Sequence, residues 1–315
     1  MNPILLFTFV CLSVAQASAV VLPRQGAVTD LTTSQIDAFT TFTFFASAAY
    51  CQPSTTINWS CGANCQANSG FEPVASGGDG DETQFWYVGF DPSLNSVIVA
   101  HQGTNPEEFE ADLTDVDFFL EGLPQSAFPD TSGLEVHNGF LASQQRAAPD
   151  VLAAVQTALS LHDTNQITIV GHSLGAALGL LDAVYLPLNL PSGLDFKFVG
   201  YGMPRVGNPA FADYLDGRNT PLPLHILLTE AIYKANFPDL THINNKEDVV
   251  PILPGIFLGF QHPHGEIHID DNGVWNACAG DDNDSDLCST GDVPTIFEGD
   301  ISDHDGPYNG VTMGC

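Results

Sequence analysis

The stretch from Gln166 to Gly175 reads QITIVGHSLG, and it decides the fold more than any other part of the chain. Its first half, Gln166 to Val170, is rich in β-branched residues, which favours a buried strand. Two glycines then flank Ser173, and the segment from Ala176 to Tyr185 has the small and apolar residues of a packed helix. The sequence therefore predicts a strand, a tight turn and a helix in direct succession.

The turn itself has the pattern G-x-S-x-G, from Gly171 to Gly175. In this setting a serine is raised above the sheet on a strained turn, and the flanking glycines let strand and helix approach closely. Ser173 also lies at the start of the helix, where the helix dipole favours negative charge. These features predict that Ser173 is a nucleophile.

Strands and helices alternate along the rest of the chain. Helical patterns cover Ser34 to Tyr50 and Gly139 to His162, and strand patterns cover Thr83 to Gly89, Ser96 to His101, Phe196 to Tyr201 and His242 to Asn245. This alternation predicts an α/β fold with a mostly parallel central sheet flanked by helices, whose chemistry lies at the carboxyl ends of the strands.

The first nineteen residues have the features of a signal peptide. An apolar run from Ile4 to Val14 is followed by Ala17-Ser18-Ala19, a small-residue cleavage site. The run is shorter than the roughly 20 residues that span a membrane. We therefore expect removal of residues 1–19, a single domain over residues 20–315, and a secreted, extracellular protein.

The cysteines agree with export. Cys11 falls in the predicted signal peptide, and an even number remains, which in a secreted chain indicates disulfides. Cys61 with Cys65 and Cys278 with Cys288 would each close a short, turn-rich loop. These two pairs leave Cys51 with Cys315 as the third expected bond. Asn58 and Asn283 begin N-x-S sequons in the cysteine-flanked loops and are predicted glycosylation sites.

Charge excludes some partners. Lys and Arg number 7 against 38 Asp and Glu, for a net charge of -31. So acidic a surface repels phosphate backbones and anionic headgroups. We expect no nucleic-acid partner.

An activated serine needs a histidine base and a carboxylate that orients it. Asp248 follows a predicted strand, which is where such a carboxylate belongs in this kind of sheet. The residues alone leave four downstream histidines as candidates for the base: His262, His264, His268 and His304. The uneven spacing of the first three does not favour a metal site. The Asp/Asn-rich run at 282–286 lacks the glycine and the closing glutamate of a calcium loop.

Several motifs in one order resemble those of the fungal class 3 lipases, a family that includes feruloyl esterases. Over nearly the whole chain after Leu31, the matching segments are VHNGF at 136–140, GHSLG at 171–175, PRVGN at 204–208, DVVP at 248–251 and DH at 303–304. The resemblance implies an α/β-hydrolase fold, a triad of Ser173, Asp248 and His304, and the same three disulfides. It implies no cofactor and no metal.

The resemblance also implies two donors to an oxyanion, the amide of Leu174 and the amide and hydroxyl of Thr104. The chain departs from the family at His101-Gln102, where an arginine before the glycine is more common. The family's lid matches Asn105 to Leu113, which contains four acids and only two large apolar residues. We therefore expect at most weak, transient contact of this lid with lipid interfaces.

These observations predict a monomeric serine carboxylic ester hydrolase, a lipase or esterase acting on acylglycerols or other lipid or soluble esters through an acyl-enzyme. A preference for feruloyl or other aryl esters is the alternative within the family. An inactive secreted binding protein of the same fold is the alternative from another class, although such a protein is expected to lose a triad member.

Overall fold

The structure, a computed structural model, describes residues 27–104, 119–217 and 239–315. The predicted signal peptide at residues 1–19 and the predicted lid from Asn105 to Leu113 lie outside these ranges. Among the described helices, none combines the length and the apolar character needed to cross a membrane.

The described strands form one large and one small sheet. Their bounds are β1 Val28–Asp30, β2 Glu72–Gly77, β3 Trp86–Asp91, β4 Ser96–His101, β5 Leu120–Gly122, β6 Glu135–His137, β7 Gln166–His172, β8 Asp195–Tyr201, β9 Asp239–Asn245, β10 Glu266–Ile269 and β11 Trp275–Cys278. The large sheet has the order β1-β11-β10-β9-β8-β7-β4-β3-β2, and β5 pairs with β6. The five strands from β10 to β4 pair in parallel, and the outer strands at both edges pair antiparallel. The predicted mostly parallel sheet is confirmed.

Helices cover both faces of this sheet. Their bounds are α1 Thr33–Asp37, α2 Thr40–Ala48, α3 Pro53–Thr56, α4 Ala63–Ala67, α5 Asn138–Leu161, α6 Leu174–Asn189, α7 Pro209–Leu215 and α8 Ser289–Asp292. Side chains of β4 alternate between two cores: Val97 and Val99 pack with α5 and α6, whereas Ile98 and Ala100 pack with α2. This alternation follows from the two-residue period of a strand.

The predicted helix from Ser34 to Tyr50 is wrong in one respect, because the structure divides it into α1 and α2. The break falls at Ala38 and Phe39. The Phe39 carbonyl accepts a hydrogen bond from the Tyr201 hydroxyl at 3.2 Å, in addition to bonds from Thr43. Tyr201 of β8 thus bonds to the carbonyl of the residue at which the predicted helix is interrupted. The periodicity of the sequence does not predict this contact.

Three disulfides join the cysteine pairs named in the sequence analysis. Cys51 is bonded to Cys315 across 264 residues, and the other two bonds close the local loops of Cys61 with Cys65 and Cys278 with Cys288. The long-range bond ties the end of the chain to the segment that follows α2. It therefore restrains the region that contains His304.

Candidate active site

Ser173 occupies a strained turn between β7 and α6. Its backbone has φ 57° and ψ -130°, a conformation that costs energy for a residue with a side chain. A Cβ atom on Gly171 would lie 2.3 Å from the Gly175 carbonyl oxygen, and a Cβ on Gly175 would lie 2.2 Å from that of His101. Only glycine therefore permits this crossing of strand and helix.

The end of β4 lies against this turn. A Cβ on Gly103 would be 2.9 Å from the Cβ of Ser173, so the segment leading to Thr104 passes beside the serine. Leu174 is the first residue of α6, and the N–H groups of a first helical turn have no acceptor within the helix. The two predicted oxyanion donors thus belong to the two segments that adjoin Ser173.

Asp248 and His304 are in direct contact. The Nδ1 atom of His304 donates to Oδ2 of Asp248 at 2.8 Å, and both residues are buried. The other oxygen of Asp248 accepts the backbone N–H of Val250 at 2.9 Å. Since Nδ1 carries the proton in this bond, Nε2 of the neutral imidazole is the atom that can accept one.

The strained turn that carries Ser173 also lies next to His304. Nε2 of His172 lies 2.9 Å from the His304 carbonyl oxygen, and the two rings are 4.5 Å apart between centroids. The Ser173 N–H donates to the carbonyl of Tyr201 at 2.9 Å, and a Cβ on the next residue, Gly202, would be 3.0 Å from the His304 ring. The structure therefore brings Ser173, Asp248 and His304 to one place at the carboxyl ends of the parallel strands.

Tyr50 and His172 form a hydrogen-bonded chain to the backbone of His304. The sequence analysis identified neither residue. Burial, together with the nearby His304, holds the pKa of His172 well below its usual value, so its ring is neutral. Because a carbonyl only accepts, His172 donates from Nε2 to His304, and its Nδ1 accepts the Tyr50 hydroxyl at 2.6 Å. Burial raises the pKa of Tyr50, and the negative charge of Asp305 adds to this effect. The phenol therefore keeps the proton that it donates.

The other three histidines have different surroundings. Nε2 of His262 lies 2.8 Å from the carbonyl oxygen of Pro251, and the two ring nitrogens of His268 lie 3.0 and 2.9 Å from the carbonyls of Leu287 and Lys246. His264 lies beside Asp216 and Asp281, at 3.4 and 3.3 Å. Within the described residues, the candidate whose ring bonds to Asp248 is His304.

A buried network lies under the strand that leads to the predicted oxyanion donor. Nε2 of His101 is 2.7 Å from one oxygen of Asp182, and the amide of Gln144 donates to the other oxygen at 2.8 Å. The side chains of His101 and Asp182 are 1% and 0% exposed. His101 is thus tied to α6, the helix that begins beside Ser173.

Potential metal ligands converge at two places in the described residues. Asp216, His264 and Asp281 form one group, and Glu266 with the disulfide-bonded Cys278 and Cys288 forms the other. Thiols joined in a disulfide are not thiolate ligands. The absence of a required metal or cofactor stays a prediction.

The structure disfavours one of the two predicted glycosylation sites. Asn283 is 5% exposed, and its side-chain nitrogen donates to the carbonyl of Ala279 at 2.8 Å. A glycan on so buried a nitrogen would have no room in the fold. Asn58 is exposed, so the prediction stands there alone.

Arg205, from the PRVGN segment, joins the loop that follows Asp248 to the segment between Asp282 and Thr290. Its guanidinium is 2% exposed and donates to Asp282 at 2.7 Å, to Thr290 at 3.1 Å, and to the carbonyls of Ile252 and Pro254. Burial alone would raise the pKa of Asp282, but the charges of Arg205 and His262 and their hydrogen bonds hold it below the usual value. Arg205 therefore stabilises a buried carboxylate as well as two loops.

We expect Arg205→Met to lower the free energy of unfolding by about 3–5 kcal/mol at pH 7, because it leaves a buried charge without its partner. The pKa of Asp282 is lower in the folded protein than its ordinary value of 3.8, so its ionised form adds stability at pH values above 3.8. The difference in unfolding free energy between the variant and the parent protein should therefore shrink as the pH falls below 3.8. Denaturant unfolding at pH 7 and pH 3 measures both effects. Arg146→Met, at an exposed arginine, is the control and should change stability by about 0.5 kcal/mol or less. Equal losses in the two variants would contradict the prediction.

Comparison with known proteins supports the resemblance. The family model for class 3 lipases matches residues 98–258. A lipase of Rhizopus niveus is 31% identical over 76% of this chain and 55% of its own length, so the chain spans about half of that relative. A secreted mono- and diacylglycerol lipase of Malassezia globosa is 30% identical over 75% of this chain and 71% of its own length.

The fold agrees with that of solved lipases. A triacylglycerol lipase whose catalytic centre is a triad of the serine protease kind superposes with a TM-score of 0.73 and 26% identity, over 91% of this chain and 98% of that one. The agreement covers most of the chain and confirms the predicted α/β-hydrolase fold. The chain belongs to the class 3 lipase family.

Proposed function

We propose that this protein is a serine ester hydrolase that acts through an acyl-enzyme on Ser173. The observation that carries the proposal is the bond between His304 Nδ1 and Asp248, next to a serine held on a strained turn. A proton on Nδ1 leaves Nε2 of His304 as the acceptor for the serine hydroxyl proton. Once His304 holds that proton, it can donate the proton to the leaving group as a general acid.

The proposed reaction has two balanced halves. Ser173 Oγ attacks the ester carbonyl while His304 takes its proton, and the C–O bond then breaks as His304 returns that proton to the departing alcohol. Water attacks the acyl-enzyme by the same route and releases the acid. The amides of Leu174 and Thr104 would stabilise the oxyanion formed in each half, where removal of one donor typically costs about 2.7–4 kcal/mol.

We propose acylglycerols as the substrate class and the extracellular space as the place of action. The Malassezia globosa relative is a secreted mono- and diacylglycerol lipase, and three disulfides suit an oxidising compartment. Large apolar side chains line a cavity of about 1030 Å³, and one of them is Val249, the residue after Asp248. Feruloyl esters are the alternative that the family resemblance leaves open, and we expect the protein to work as a monomer.

A fluorophosphonate probe tests the proposal, since it reacts only with an activated serine. We expect labelling of the native protein at Ser173 alone, mapped by peptide mass spectrometry, and none after heat denaturation. Protection by excess monoacylglycerol but not by methyl ferulate is expected for the acylglycerol preference, and the reverse for an aryl esterase. An unlabelled native protein would favour the inactive binding protein of the same fold, and a label on another residue would show that Ser173 is not the nucleophile.

A further inference from the structure

Three buried polar side chains join strand β4 to helices α5 and α6. His101, the last residue of β4, donates from Nε2 to Asp182 of α6, and Gln144 of α5 donates to the second oxygen of the same carboxylate. We call these three residues the β4 network. Apolar residues of similar size often stabilise a fold as well as a buried ionisable pair does, because desolvation offsets the attraction of the pair. Stability alone therefore does not account for the β4 network.

The two elements that the network joins lead to the two predicted oxyanion donors. Leu174 is the first residue of α6, and Thr104 follows the end of β4. An oxyanion is stabilised when both donors lie about 2.7–3.1 Å from the position that it will occupy. The bond between His101 and Asp182 therefore crosses between the two segments whose relative position decides whether the oxyanion can be held.

The end of β4 has little freedom to move against α6 without disturbing this arrangement. A Cβ atom on Gly175 would lie 2.2 Å from the carbonyl oxygen of His101, so the strand and the first turn of the helix are already in close contact. The next residue, Gln102, exchanges two hydrogen bonds with Phe85, at 2.8 and 2.9 Å, and these bonds hold it toward β3. His101 is bound to the helix on which the second donor lies.

We propose that His101, Asp182 and Gln144 are positioning residues that set the distance between the Thr104 and Leu174 oxyanion donors. The network acts through the backbones of β4 and α6 and touches neither the substrate nor the reacting atoms. This inference rests on the proposed ester hydrolase function. It predicts an effect on the tetrahedral intermediates, since the donors are directed at the charge that develops there.

The hydrogen-bonding groups of the network predict opposite results for two replacements of Asp182. In Asp182→Asn, the amide oxygen can accept from His101, and the amide nitrogen can donate to Gln144 once the Gln144 amide has turned over. The side-chain oxygen of Gln144 has no hydrogen-bond partner among the described residues, so it can take this bond. Asp182→Leu has a similar volume but no acceptor, and it breaks the tie between β4 and α6.

Steady-state kinetics on a dissolved p-nitrophenyl ester test the inference. Asp182→Leu should lower kcat by a factor on the order of 10², the loss that a misplacement of about 1 Å can cause, and should change KM by less than about threefold. Asp182→Asn should keep kcat within about threefold of the parent value, because it can rebuild every bond of the network.

An alkyl boronic acid probes the oxyanion position directly, because it forms a tetrahedral anion on an activated serine. Its inhibition constant should rise at least about tenfold in Asp182→Leu and less than about threefold in Asp182→Asn. A merely structural role for Asp182 would lower the stability of the protein and leave the affinity of the folded fraction for the boronate unchanged.

Thr168→Val is the matched control. Thr168 of β7 shares a buried hydrogen bond of 2.9 Å with Ser96, which begins β4 at the end far from His101. The variant also removes a buried bond to β4, but it should change kcat and boronate inhibition by less than about twofold.

Circular dichroism and denaturant unfolding verify that each variant is folded. If Asp182→Leu does not fold, the combination of His101→Phe, Asp182→Leu and Gln144→Leu replaces it, since a wholly apolar site leaves no buried group unpaired. This triple variant should fold and should show the same losses of kcat and of boronate affinity.

Four results would each overturn the inference. They are an unchanged kcat in a folded variant without the network, a loss of kcat without weaker boronate binding, equal losses in Asp182→Asn and Asp182→Leu, and an equal loss in Thr168→Val. Fluorophosphonate labelling of the parent protein tests the hydrolase function separately, so failure of that function and failure of this inference are distinguishable.

Discussion

Replacing Ser173 with alanine should abolish hydrolysis of a p-nitrophenyl ester. The hydroxyl is the proposed attacking group, and members of a triad act as a unit, so kcat should fall by a factor on the order of 10⁶. The serine lies on a turn whose strained φ of 57° belongs to the backbone, and alanine accommodates it with no change in the glycine contacts. We therefore expect a folded protein with an unchanged circular dichroism spectrum.

Ser302→Ala is the matched control for this variant. Ser302 lies two residues before His304 and is exposed, so loss of its hydroxyl should change kcat by less than about twofold. Retention of more than about a hundredth of the parent activity by folded Ser173→Ala would show that another group attacks the ester. An equal loss in the control would show that the loop of His304 is the sensitive feature, rather than the Ser173 hydroxyl.

Local sequence predicted the elements around Ser173 well, because each has a strong local cause. The β-branched run from Gln166 gives β7. Glycine is required at 171 and 175 because a Cβ atom there would lie 2.3 or 2.2 Å from a neighbouring carbonyl oxygen. The predicted helix from Gly139 to His162 differs from α5 by one residue at each end, within the ordinary uncertainty of helix ends. Such features depend on residues near in sequence.

The rest of the site depends on contacts between distant residues. His304 and Asp248 are 56 residues apart, and their order in the chain does not single out His304 among four candidates. Tyr50 meets His172 across 122 residues, and no pattern near Tyr50 predicts that contact. The burial of Asn283 inside a cysteine-flanked loop was likewise hidden, because a sequon describes a local motif and not its exposure.

Asp248→Asn should reduce kcat by a factor on the order of 10⁴, through the tautomer of His304. In the parent protein one carboxylate oxygen accepts the Val250 N–H at 2.9 Å, and the other accepts the Nδ1 proton of His304 at 2.8 Å. The single oxygen of asparagine should keep the Val250 bond, because the backbone N–H can only donate and needs an acceptor when it is buried. The amide nitrogen then faces Nδ1 of His304 and can only donate to it.

His304 must in that case carry its proton on Nε2, where it cannot accept the proton of Ser173. Asp303→Asn is the control, since the same chemical change beside His304 removes only a partly exposed pair with Lys246 at 3.3 Å and should cost less than about threefold. Steady-state kinetics on a dissolved ester at pH 7 measures both variants. Loss of less than about tenfold in Asp248→Asn, or comparable losses in the two variants, would mean that Asp248 does not set the tautomer. Another carboxylate would then have to orient the base.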